Sequence, residues 1–80
     1  MNTQVLNRVI DLAADVFGVA PGDLTEASTP ADHESWDSLA QLNLMVALED
    51  EFSVQLLAED IPNMTSIGAI ATLVGARVSA

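Results

Sequence analysis

Eighty residues, half of them apolar and only 4% aromatic, make one small domain whose core must come from Leu, Val, Ile, Met and Ala. That apolar content excludes intrinsic disorder, and the lack of cysteine excludes a disulfide scaffold, a thiolate metal site and a thiol nucleophile. Twelve acids against two bases, Arg8 and Arg77, leave a net charge of −10, so neither nucleic acid nor a membrane is an expected partner, whereas a protein with a basic patch is.

No apolar run approaches the roughly 18 residues that span a bilayer, and no signal-peptide pattern opens the chain. The expectation is a cytoplasmic, monomeric protein with a single domain over residues 1–80. From Thr3 to Phe17, Val5, Leu6, Val9, Ile10, Leu12, Ala13, Val16 and Phe17 fall on one broad face at about 100° per residue. Thr3 is the expected N-cap and Gly18 the left-handed stop. Between Gly18 and Trp36 no period is sustained. Pro21-Gly22 and Thr29-Pro30 are turn signals, and Leu24 and Trp36 are the expected anchors of this long loop.

A second helix is predicted over Ser38 to Phe52, with Asp37 as N-cap. Its wheel carries two apolar stripes. Leu44, Met45, Leu48 and Phe52 cluster on one side, and Leu39, Leu42 and Val46 lie well round the helix beside Asn43 and Asp50. One stripe can face a bundle; the other is either wet, and then a docking surface, or buried because the helix is central. Glu49, Asp50 and Glu51 oppose the helix dipole, which leaves them either for a partner or for solvent. A short helical turn is expected near Leu56 to Asp60, stopped by Pro62, and then a last helix capped by Thr65 or Ser66. It carries Ile67, Ile70, Ala71, Val74 and Val78 on one face. With no convincing strand, the fold class is all-α: a small antiparallel bundle of three long helices and one short one.

Ser38, at the first helical position, faces unpaired backbone N–H groups and the positive end of the helix dipole, so a phosphodiester formed on its hydroxyl would be stabilised there. Asp37-Ser38 also reads as a plain capping pair, with no further role. A Ser38, His33 and Asp37 catalytic set is geometrically awkward, because Asp37 and Ser38 are adjacent, and the chain does not read as an enzyme. The acids lack the spacing of a calcium loop, and one histidine without cysteine supports no zinc site, so no metal ligands are expected.

Asp37-Ser38-Leu39, followed by an apolar helix ending Ala47-Leu48-Glu49-Asp50-Glu51-Phe52, closely resembles the acyl carrier protein family. The similarity extends over the first helix, the long loop, Pro62 and a last helix opening Thr65-Ser66-Ile67. It implies a carrier that receives 4′-phosphopantetheine from coenzyme A on Ser38, through a magnesium-using phosphopantetheinyl transferase. The arm would hold an acyl or aminoacyl group as a thioester. By the same resemblance Asp37 helps the transferase dock, and Leu39, Leu42 and Val46 touch partner enzymes. Asn43, Glu49 and Asp50 flank that surface and complete the expected partner-binding set. Those partners are an acyl- or aminoacyl-loading enzyme and downstream acyl-processing enzymes. Ala40 and Asn43 stand where fatty-acid carriers are often acidic, and Trp36 where a smaller residue is usual. Both departures direct the expectation to a free-standing carrier of polyketide-type or other specialised biosynthesis. A fatty-acid carrier, an aminoacyl or peptidyl carrier, and an unmodified helical interaction module are the alternatives.

Overall fold

The structure is a computed structural model and describes residues 3–79. Three helices, α1 (Thr3–Phe17), α2 (Ser38–Phe52) and α3 (Ile67–Ser79), build the bundle, and there is no strand among the described residues. Two short 3₁₀ turns, Pro21–Asp23 and Ala58–Asn63, lie in the connections. The first of these was not expected; Pro21 opens it with a preset φ and no N–H to lose. α1 packs on both other helices, and α2 and α3 meet over a shorter seam.

The apolar face of α1 closes as its period requires: Val5, Val9, Ala13, Ala14 and Phe17 are buried, and Leu6, Ile10, Leu12 and Val16 pack partly against them. α1 already includes Thr3, so a cap would lie at residue 2, outside the described residues. Gly18 takes φ 71°, the left-handed conformation that ends the helix without a Cβ penalty. Leu44, Leu48, Ile67, Ile70, Val74 and Val9 are the large, fully buried centre.

The long connection is ordered by its own hydrogen bonds. Ser28 accepts from the Thr25 amide through Oγ at 2.9 Å, and the Thr29 amide donates to Asp32 Oδ2 at 3.0 Å. Leu24 and Trp36 are buried as anchors, as expected. The loop also caps α3: the Ile67 amide donates to the Ser28 carbonyl at 3.0 Å and the Gly68 amide to the Glu26 carbonyl at 2.8 Å. A Cβ on Gly68 would stand 2.9 Å from that Glu26 oxygen, so the approach requires glycine. Ser66, not Thr65, completes the cap, its Oγ accepting from the Ala69 amide at 3.0 Å.

The turn before α3 differs from expectation. It spans Ala58–Asn63 with Pro62 inside it rather than ending before Pro62. A 3₁₀ turn has backbone angles close to proline's own, and its bonds here run from Asp60 N to the Leu57 carbonyl and from Met64 N to the Ile61 carbonyl, so the missing Pro62 N–H costs nothing. Asp60 fastens the turn: Oδ2 accepts from the Leu57 amide at 2.8 Å and Oδ1 from Arg77 Nη2 at 2.7 Å. Arg77 Nη1 donates in turn to the Gln55 carbonyl at 2.9 Å.

Candidate functional site

Asp37 has extended backbone angles, and its Oδ1 accepts from the Ala40 amide at 2.9 Å while its carbonyl takes the Gln41 amide, also at 2.9 Å. This is the N-cap the sequence predicts. It leaves the amides of Ser38 and Leu39 without a partner among the described residues at the positive end of α2. Ser38 is exposed, and its hydroxyl makes no hydrogen bond among the described residues. An unhindered primary hydroxyl therefore stands beside two free N–H donors, where an ester carrying negative charge is favoured.

Beside Ser38 lies an open groove of about 520 Å³, walled by Pro30 from the loop, the N-cap Asp37, Leu42 from α2, and Ile61 from the second 3₁₀ turn. Trp36, Gln41 and Met64 line it as well. The Trp36 ring stacks on Phe17 of α1 with centroids 4.9 Å apart. Its Nε1 donates to Gln41 Oε1 at 2.7 Å, and Gln41 Nε2 lies 3.6 Å from Met64 Sδ. Gln41 and Met64 went unrecognised in the sequence. The usable signal was the buried indole N–H, which needs an acceptor nearby.

The second apolar stripe of α2 is wet: Leu39 is 68% exposed, Leu42 52% and Val46 63%. Asn43 and Asp50 are exposed beside it. Ile61, across the groove, extends the exposed apolar surface, and Leu57 is exposed just ahead of the second 3₁₀ turn. Glu49 is placed differently. It is half-buried, and its Oε2 accepts from the Leu56 amide at 3.0 Å, tying the exit of α2 together. Glu51 pairs with Arg8 of α1 at 2.8 Å, and the hydrogen bond from the Arg8 guanidinium holds its carboxyl below the usual range. Two of the three acids that oppose the dipole of α2 thus have partners within the chain. His33 is half-buried in the loop, where its carbonyl accepts the Trp36 amide.

A family described as the phosphopantetheine attachment site matches residues 7–74 of this chain, most of its length. The chain belongs to this family. Its covalent cofactor is 4′-phosphopantetheine, and the free hydroxyl, free amides and open groove at the start of α2 fit such a group. Acyl carrier protein 3, mitochondrial, of Arabidopsis thaliana is 32% identical over 71 residues, covering 89% of this chain and 54% of that protein. The acyl carrier protein of Clostridium acetobutylicum is 29% identical over 73 residues, covering 91% and 95%. The meromycolate extension acyl carrier protein of Mycobacterium leprae is 22% identical over 71 residues, covering 89% and 62%. This member of the family thus spans about half the length of the Arabidopsis relative, three fifths of the mycobacterial one and nearly all of the clostridial one. The NMR structure of a holo acyl carrier protein from Geobacter metallireducens superposes with a TM-score of 0.85 at 25% identity, covering 94% of this chain and 86% of that one. No helix among the described residues is long and apolar enough to cross a membrane.

Proposed function

We propose that Ser38 is the residue that carries the phosphopantetheine arm, and that the chain is a non-catalytic acyl carrier of polyketide-type or other specialised biosynthesis. The observation that carries this reading is the unbonded, exposed Ser38 hydroxyl at the start of α2. When attached, the arm supplies a terminal thiol on which an acyl or aminoacyl group is held as a thioester. This chain's own residues present the site. Asp37 fixes the first turn of α2, the free amides stabilise the phosphodiester, and Leu39, Leu42 and Val46 offer a small apolar contact for partner enzymes. Asn43 and Asp50 border that contact with a polar and a negative group.

The net charge of −10 steers enzymes with basic patches to a contact small enough to be released quickly, which suits a shuttle that meets a phosphopantetheinyl transferase, a loading enzyme and processing enzymes in turn. The lack of acids at Ala40 and Asn43 favours a specialised pathway over fatty-acid synthesis.

An intact-mass spectrum after incubation with coenzyme A, magnesium and a promiscuous phosphopantetheinyl transferase tests the site. The wild type is expected to gain one phosphopantetheine and Ser38→Ala none. A gain on folded Ser38→Ala, or no gain on the wild type, overturns the assignment.

A further inference from the structure

We infer that Trp36, Gln41 and Met64 form a strap that shuts the groove beside Ser38 off from the apolar core, so that cargo on the arm stays in the groove and a long alkyl chain does not enter the bundle. The inference rests on attachment at Ser38. The strap runs from the end of the long loop, across the first turn of α2, to the residue that closes the second 3₁₀ turn. Its two bonds are Trp36 Nε1 to Gln41 Oε1 at 2.7 Å and Gln41 Nε2 to Met64 Sδ at 3.6 Å. Both ends are fixed. Trp36 is 4% exposed and stacked on Phe17, and Met64 is 3% exposed within the core.

A chain threading from Ser38 between α2 and the second 3₁₀ turn must part Gln41 from one of its partners. Parting it from Trp36 leaves a buried indole N–H with no acceptor, a desolvation penalty that biases against the open arrangement by roughly ten- to a hundredfold. A cargo lying in the groove breaks neither bond, since the exposed side chains of Pro30, Leu42 and Ile61 already wall it. Gln41 keeps one N–H and one lone pair beyond those the strap uses. The groove therefore sets the apolar side chains of Pro30, Leu42 and Ile61 beside the polar groups of Asp37, Ser38 and Gln41. That chemistry suits a short acyl group bearing a hydroxyl, carbonyl or amino substituent better than a long alkyl chain.

The test loads the full chain at Ser38 with arms ending in a decanoyl amide or a 3-hydroxybutyryl amide, and mass spectrometry confirms one arm per chain. On the wild type, the methyl NMR signals of Ile67, Ile70 and Val74 are expected to match those of the unacylated holo form with either cargo, with no rise in Tm. In Gln41→Leu and in Trp36→Phe, which keeps the ring stack but removes the N–H, decanoyl is expected to move those methyls and raise Tm. Decanoyl moving the core methyls of the wild type overturns the strap, and so does its failure to do so in both folded variants. A chain that gains no arm at all overturns the attachment site itself, which the mass spectrum separates from failure of the strap.

Discussion

α1 and α2 are both 15 residues long and both rich in aliphatic side chains, yet they use them differently. Every large aliphatic of α1 is at least partly buried, so its apolar content is a statement about stability alone. α2 buries Leu44, Met45 and Leu48 and leaves Leu39, Leu42 and Val46 in water. A helix that needed only to hold a bundle together would not keep that second stripe, because exposed apolar side chains add nothing to the core and invite association. The contrast separates the residues of α2 into two sets that mutation can address independently.

The largest expected effect lies on the buried side. Leu44→Ala removes a fully buried side chain and is expected to cost about 2–5 kcal/mol, a large fraction of what a domain of this size has, so the variant should be far less stable to urea. A loss below about 1 kcal/mol would mean that the centre of the bundle repacks, and that the two faces of α2 are less distinct than their burial indicates. Asp37→Ala comes next. It removes the cap of α2 and is expected to lower stability by about 1 kcal/mol. Asp37→Asn, which can still accept the Ala40 amide, should recover most of that loss.

The acids divide as the apolar residues do. Asp60 is buried, and the Leu57 amide, with help from Arg77, holds its carboxyl below the ordinary aspartate range. A carboxyl with a lowered folded pKa contributes stability above its unfolded pKa and loses it as pH falls through the folded value. Asp60→Asn is therefore expected to be less stable than wild type at neutral pH, with the gap closing as the solution is acidified into and below the carboxylate range. Thermal melts of Asp60→Asn and the wild type across an acid series compare the two directly.

Much of this division was legible in the residues. The bounds of α1 and α2, the anchors Leu24 and Trp36, the Asp37 cap and the extra stripe of α2 all follow from periodicity and capping chemistry, which are local signals. What was not legible depends on contacts distant in sequence. Gln41 reads as an ordinary polar helix residue until Met64, 23 positions away, is brought to it. Gly68 reads as a weak helix former until the loop carbonyl of Glu26 is seen to occupy the place of its Cβ. Glu49 reads as an acid repelled by the dipole until the chain turns back and offers it the Leu56 amide. Pro62 reads as a stop because a breaker rule written for α-helices says nothing about a 3₁₀ turn.

The smallest expected effect makes the sharpest test of the comparison. Leu42→Ala and Val46→Ser take apolar surface from the wet stripe without opening a cavity, so each should change stability by no more than about 0.5 kcal/mol. Their consequence should appear instead where a partner docks. With the phosphopantetheinyl transferase or a loading enzyme as that partner, the variants are expected to be modified more slowly at limiting carrier concentration, while the rate at saturating carrier is kept. Loss of stability on a par with Leu44→Ala would show that the second stripe is part of the core after all. Unchanged stability together with unchanged modification would leave the stripe without a role, and the difference between α1 and α2 would then be one of composition only.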